Sequence, residues 1–344
     1  MGASGGPAWP ADRHPARIAL RRAAPASPDG TPALTALPAP AAHPAPATQS
    51  ILRGIFFMCL AATVLPVMNA FVKYLAIDYH PMAIVWARTT GHFVFMLALF
   101  AATVGPVVFR TARPGLQVAR SALHLGSMLC FFTAIAYVPL AEASAIGFIA
   151  PFLVTALSGP LLGEKVGIRR WTAVVVGFSG ALVVARPGSG TVPVEGLLLF
   201  GSALCHALYQ ILTRRVAPFD RPETSALYSG MVGSLLMSMV VPFVWLWPTA
   251  TVDAAVFLSL GVLGGLGHYF LARAFMWGPA SVIAPFNYGQ IIVATTLGWA
   301  IFGHLPDVWT WVGVAIIIAS GLYIAWRETR RRALRNRLAP DETR

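Results

Sequence analysis

The chain has 344 residues, of which 57% are hydrophobic and 11% charged, with a mean hydropathy of +0.68. A water-soluble fold of this length would lack the polar surface to cover itself, so lipid is the expected solvent. The formal charge of +12 invites a nucleic-acid reading, but the cations fall between apolar runs, where they report membrane topology instead.

Residues 1–50 are rich in Ala and Pro and carry Arg13, Arg17, Arg21 and Arg22 without any apolar run. Such a segment cannot bury enough surface to offset the entropy of ordering, and it reads as a disordered cytoplasmic tail. It shares an Arg-rich, acid-poor composition with transit peptides, shows no cleavable signal peptide, and has Gly6 where myristoylation needs Ser or Thr.

A membrane-crossing helix takes about 20 mostly apolar residues. Such stretches are expected at 54–76, 82–104, 119–138, 141–162, 169–187, 194–214, 224–247, 253–276, 280–302 and 308–326, separated by turn signals such as Asp78-Tyr79-His80-Pro81, Arg113-Pro114-Gly115 and Pro187-Gly188-Ser189-Gly190. After the last of them, residues 328–344 form a basic tail expected to be cytoplasmic. It offers arginines either as a topology anchor or as a site for anionic lipid headgroups.

The second half repeats the first. Ala134, Tyr137 and Pro139 recur as Ala274, Trp277 and Pro279, and Gly163, Glu164 and Trp171 recur as Gly303, His304 and Trp311. An odd number of spans per unit obliges the second unit (193–327) to enter the membrane from the side opposite the first (51–188). The fold class expected is therefore an all-α membrane protein of ten transmembrane helices in two inverted five-helix repeats, the architecture of secondary transporters. Cation placement agrees. With the N-terminus inside, the inner segments hold Arg110, Arg113 and Arg120, then Lys165, Arg169 and Arg170, then Arg214, Arg215 and Arg221, whereas the outer ones hold Arg186 and, near a helix end, Lys73. That places the protein in the cell inner membrane with both termini cytoplasmic.

The Gly163-Glu164 pair after the fourth span, Trp171 opening the fifth, the proline of Ile149-Ala150-Pro151-Phe152, Lys73 after Asn69, and Trp86-Ala87-Arg88 resemble the drug/metabolite transporter superfamily with paired EamA-type domains. The resemblance implies a ten-helix bundle that moves small metabolites, and it extends to branches that carry S-adenosylmethionine or riboflavin. His304, where the second glutamate usually stands, and Asn69, where some members carry an acid, depart from the pattern.

Function is argued from what lies inside the bilayer, where each charge costs at least about 2.5–3.5 kcal/mol on insertion scales. All 13 acids fall in tails, loops or helix ends, which weakens the alternative of a proton-coupled exporter of cationic drugs; Glu142, at the mouth of the fourth span, is that reading's support. Arg88 with His92 one turn on is the candidate partner of a solute carboxylate or phosphate, with a structural brace as the competing reading. The sixth span carries a stripe of Ser202, His206, Tyr209, Gln210 and Thr213, the fourth Ser144, Phe148, Pro151, Thr155 and Ser158, and the ninth Pro285, Asn287, Tyr288 and Gln290.

Candidate substrate-binding residues are thus Arg88, His92, Phe148, Thr155, His206, Tyr209, Gln210, Asn287, Tyr288 and Gln290. Candidates for gating or coupling are Asn69, Lys73, His268, Tyr269 and Arg273, with His206 or His268 read as a proton relay or as an interhelix link. Trp86, Phe148, Tyr209 and Tyr288 could stack a flat ring. Cys59, Cys130 and Cys205 lie in spans and read as small apolar filler. No metal, cofactor, nucleic acid or enzyme motif is expected. A homodimer, a non-transporting receptor or scaffold, the coupling ion and the direction of transport are left open. A small organic metabolite, anionic or zwitterionic, is the expected partner.

Overall fold

The computed structural model describes residues 48–101, 105–164, 166–186 and 193–338. The reading of 1–47 as a tail, the turn at 187–190 and the last six residues lie outside these. Among the described residues every regular element is helical, as the hydropathy demands: with no water to satisfy peptide groups, only helices and closed barrels cross lipid.

The helices are α1 (Thr48–Leu75), α2 (Pro81–Ala101), α3 (Pro114–Tyr137), α4 (Leu140–Gly147), α5 (Ala150–Leu162), α6 (Ile168–Ala185), α7 (Leu198–Val216), α8 (Pro222–Ser238), α9 (Thr251–Met276), α10 (Ala280–Ile283), α11 (Gly289–Phe302) and α12 (Val308–Leu338). Among the described residues eight crossings are long and apolar enough to span a bilayer, with α4 and α5 together forming one. The other two expected spans are irregular for identifiable reasons. The seventh stops as an α-helix at Ser238 and tightens into a 3-10 turn at Val241–Phe243. Pro242 has no N–H to donate and disfavours helical backbone at Val241. The ninth is split by Pro285 into α10, a 3-10 segment (Ala284–Tyr288) and α11.

The repeat seen in the sequence is a repeat in space. Gly163 and Gly303 both cap their helices in the left-handed conformation, at φ 71° and 70°. Each closes the same pair of bonds: Gly163 N–H to Gly159 O and Glu164 N–H to Ser158 O in one unit, Gly303 N–H to Trp299 O and His304 N–H to Gly298 O in the other. The packing obeys the same exchange. α1 lies on α9 as α7 lies on α3, α1 meets α11 as α7 meets α5, and α2 meets α9 as α8 meets α3. The pairs α2–α8 and α6–α12 join each element to its own counterpart, and α4 packs on α11.

The two repeats are therefore interlocked rather than set side by side. Glycines make the closest crossings: a Cβ at Gly261 would fall 2.2–2.6 Å from the backbone of Gly91 and His92, and one at Gly233 would fall 2.8 Å from Thr89. Small residues that let backbones touch are the usual glue of helices in lipid.

The two ends of the bundle are tied by contacts that are images of each other. At one end Asp220, between α7 and α8, accepts from the Ala112 N–H at 2.8 Å, the Thr111 hydroxyl and the Gln117 amide. At the other, Tyr79, between α1 and α2, donates to Asp253 at 2.7 Å, and Tyr74 donates to the second oxygen at 2.9 Å. Partial burial acts to raise the proton affinity of Asp220, but the hydrogen bonds outweigh it and hold the carboxyl below its ordinary range. α12 continues as one helix past the apolar stretch to Leu338, with Arg330 stacked on Trp326 at 4.4 Å.

Candidate functional site

Two polar centres share α7 as a common wall. The first is a cavity of about 510 Å³, a size that suits a small metabolite. Phe148, Pro151, Thr155 and Ser158 from the fourth span, Gln210 from α7, Pro285, Asn287 and Tyr288 from the break in the ninth, and Gly321 from α12 line it. Glu164, Arg170 and Arg214 lie toward its mouth. These three stand at the ends of their spans where Glu164 and Arg214 approach to 4.0 Å. The mouth therefore opens on the side where α5 and α7 end.

Local backbone chemistry builds this cavity. The fourth span breaks at Phe148 and Ile149, whose N–H groups bond three residues back, to Ala145 and Ile146, before Pro151 starts α5 afresh. The break turns the Phe148 ring inward, where it meets Tyr288 at 4.8 Å between centroids. The numbers differ by 140, so the two rings are each other's image and mark the axis that relates the repeats. Gly321 leaves room for the phenol, since a Cβ there would fall on the Tyr288 hydroxyl. Gln290 donates to Asn287 and so fixes that amide rather than facing the cavity itself.

The second centre is buried among α2, α3, α7 and α9. Arg88 is only 4% exposed. Its guanidinium reaches the Met128 sulfur at 2.9 Å and His268 Nε2 at 3.3 Å, and its Nε has no hydrogen-bond partner. A thioether is a weak acceptor, and among the described residues no carboxylate is paired with this cation. Three histidines lie around it and a fourth adjoins them: His92 and His268 lie 6.4 Å apart, His268 and His124 6.0 Å, and His124 and His206 6.4 Å between ring centroids. Tyr209 stacks on His124 at 4.7 Å. The Nδ1 atoms of His92 and His124 are buried without a partner. Gly264 carries no side chain because the Arg88 guanidinium occupies that space at 3.3–3.4 Å.

Of the residues proposed from sequence, Phe148, Thr155, Gln210, Asn287 and Tyr288 come together around the cavity, and Arg88, His92, His206, Tyr209 and His268 around the buried cation. The α7 stripe divides its duties. Ser202 bonds Ser127 on α3, Thr213 accepts from Arg120, and of the five only Gln210 lines the cavity.

Other candidates hold the frame. Lys73 donates to the carbonyls of Ile135 and Val138, both at 2.9 Å, closing the end of α3. Tyr269 is 41% exposed, and Arg273 lies over Phe57, Tyr269 and Trp277, in the manner of an interfacial anchor. Trp86 donates to Ser238 and packs edge-on against Trp245, both rings half-buried against the core. Asn69 is half-buried on α1.

His124 and Arg120 were missed as site residues. Arg120, read from sequence as a topology marker, is 1% exposed and bonds Thr213, Gln117, Ser229 and the Ser225 carbonyl, locking α3 to α7 and α8. His124 follows it by four residues on the same face, and that spacing was the available signal.

A profile of the EamA-like transporter family matches twice, at residues 52–186 and 195–326. The chain belongs to that family. Both matched segments coincide with the two structural repeats, and a transporter rather than an enzyme is what the family describes. A riboflavin transporter of Vibrio cholerae serotype O1 is 27% identical over 81% of this chain and 95% of its own length. An S-adenosylmethionine uptake transporter of Rickettsia prowazekii is 26% identical over 82% of this chain and 95% of its own. A pseudopaline exporter of Pseudomonas aeruginosa is 28% identical over 78% and 94%. One solved crystal structure superposes with a TM-score of 0.58 over 82% of this chain and 99% of that one, at 19% identity, which speaks for the fold alone. The protein is a multi-pass membrane transporter of small molecules.

Proposed function

We propose that this EamA-type protein is a secondary transporter of an anionic or zwitterionic organic metabolite. It resides in the cell inner membrane with both termini cytoplasmic, and the cavity is its solute site in a state open to the cytoplasm. The observation that carries the reading is Arg88, a buried guanidinium whose neighbours are a thioether and neutral-capable rings rather than an acid. A cation kept in lipid at such cost without an internal counter-ion is suited to take one from the solute.

The cavity adds the rest of the recognition. Phe148 and Tyr288 offer faces to a flat ring, and the amides of Gln210 and Asn287 can both donate and accept. Riboflavin and S-adenosylmethionine, the solutes named for two relatives, each carry a heteroaromatic ring system of the kind those faces suit. The aligned α7 residues Gln210, Tyr209 and His206 lead from the cavity to the Arg88 centre, and alternating access moves the solute past them.

The test is uptake of riboflavin and of S-adenosylmethionine into proteoliposomes, after a thermal-shift screen of the purified protein against a metabolite library. Arg88→Ala is expected to lower uptake of S-adenosylmethionine, which brings a carboxylate, by at least about tenfold, the equivalent of some 1.4 kcal/mol, and Arg88→Lys to restore part of it; riboflavin, which has no acid group, tests the ring faces alone. A folded Arg88→Ala protein that transports like the wild type refutes the assignment, as does stabilisation by lipophilic cations alone.

A further inference from the structure

Glu142 opens α4 at the end of the bundle opposite the cavity mouth, and it is 8% exposed. Its Oε1 lies 3.3 Å from the Thr310 hydroxyl, and its Oε2 is buried without a hydrogen-bond partner. Thr310 has one hydroxyl proton to give. Its oxygen stands closer, at 2.8 Å, to Asp307 Oδ1, which also takes the Thr310 backbone N–H at 2.9 Å as the cap of α12. The second oxygen of Asp307 pairs with Arg186 at 2.6 Å, so Asp307 is ionised and draws the hydroxyl proton to itself.

An ionised Glu142 would therefore face the lone pairs of Thr310 on one oxygen and nothing on the other. Lys73 attracts it through space, but no cation among the described residues hydrogen-bonds it. Lys73, on α1, spends its ammonium on the Ile135 and Val138 carbonyls and lies over the Phe302 ring. His304, past α11, acts on Glu142 from a distance, and Asp307 opposes it with like charge. The helix start favours negative charge, yet beyond its own N–H the carboxyl finds no further donor there. A protonated Glu142 instead donates from Oε1 to Thr310, whose hydroxyl goes to Asp307, which also accepts from Arg186; Oε2 is then left as a neutral carbonyl oxygen rather than as part of an unpaired charge.

We infer that Glu142 is a proton-binding site of the transport cycle, neutral while its end of the bundle is closed and ionised, its proton passed to water, when that end opens. Only its meaning within a cycle rests on the transporter reading above. Because the proton binds the closed arrangement better, closure takes up one proton and is favoured by acid, by linkage. A single proton of this kind changes the balance of the two states by up to about tenfold per pH unit.

Two measurements test this. Infrared spectroscopy of the purified protein in lipid should show the carbonyl band of a protonated carboxylic acid that is absent from Glu142→Gln and displaced in Thr310→Val, which keeps the carboxyl but removes its acceptor. No difference between the wild type and Glu142→Gln overturns the inference. In proteoliposomes offered riboflavin or S-adenosylmethionine, an imposed pH gradient should alter wild-type uptake, and that response should vanish in Glu142→Gln; an identical response in the variant also overturns it. If neither solute moves while the band is present, the solute assignment fails and the proton site stands.

Discussion

Replacing Gly261 by alanine probes the crossing on which the buried centre is built. A methyl there would lie 2.2 Å from the carbonyl carbon of Gly91, 2.4 Å from its Cα and 2.6 Å from the nitrogen of His92. Ordinary carbon contacts are about 3.5–4.0 Å, so α2 and α9 must part by roughly 1 Å. Every atom opposing the methyl is backbone, and no side-chain rotation can relieve it. Overpacking of this sort costs about 1–3 kcal/mol, and with backbone on both sides the upper end applies. Alanine returns at most about 1 kcal/mol of helix propensity. The net expectation is a loss of about 2 kcal/mol.

Gly201→Ala supplies the contrast. Its methyl would meet only the Cys130 sulfur at 3.8 Å, an ordinary contact, so the propensity gain remains and stability should hold or rise. Denaturant titration of the two proteins in the same detergent, followed by helical circular dichroism, reads the difference directly. Equal midpoints for Gly261→Ala and Gly201→Ala would refute the reasoning, because they would show that the α2–α9 backbone contact does not bear on the fold.

Two further outcomes follow from other parts of the molecule. Tyr288→Ala should weaken binding of a ring-bearing solute by about tenfold, or 1.4 kcal/mol, while Tyr288→Phe leaves it nearly intact, as read by quenching of riboflavin fluorescence on titration. Asp220 is held below its ordinary range by its three donors, so its contribution to stability is complete above the unfolded carboxyl value of about 3.9 and is lost as the pH falls through the lower folded value. Asp220→Asn should therefore be less stable than the wild type at neutral pH, and the gap should shrink in acid below that value; a gap independent of pH would sink the argument.

The architecture was legible because bilayer constraints write it into composition. Apolar length located the helices, and a displacement of 140 positions joined Gly163 to Gly303 before their matching left-handed caps were seen. Where the sequence misled, a local device had overridden periodicity. Pro242 cuts the seventh span short, although Val240, Val241, Phe243 and Val244 continue the apolar run. Single-helix stripes also promised more than they delivered: Ser202 and Thr213 face α3 and Gln210 faces the cavity, because a stripe about as wide as a helix face meets two neighbours at once. Arg120 and Lys73 show the converse. A cation near a helix end reads as a topology marker, yet which acceptors it meets depends on residues about 60 to 110 positions away, and spacing along one helix carries no trace of those.

The symmetry explains why one end of the molecule is open while the other is shut. Arg214 beside Glu164 at the cavity mouth occupies the place that Lys73 beside Phe302 and His304 holds at the opposite end, with the numbers displaced by 140 or 141. Arg214 keeps 57% of its side chain exposed, whereas Lys73 is 8% exposed and bonded to carbonyls of α3. One chemical arrangement thus exists in two states in a single conformation, solvated at one end and sealed at the other. Exchanging the two environments would open the far end without any new fold. The tight partners α1–α9, α3–α7 and α2–α8 each take one helix from either repeat, and Asp220 and Asp253 bridge the repeats at both ends together. The repeats are thus packed across one another rather than along a single seam. Outside those three pairs stand α4, α5, α6, α10, α11 and α12, of which α6 and α12 pack on each other and α5 and α11 pack on α7 and α1. These supply most of the cavity wall, with Glu142 in the first turn of α4 at one end and Glu164 just past the cap of α5 at the other.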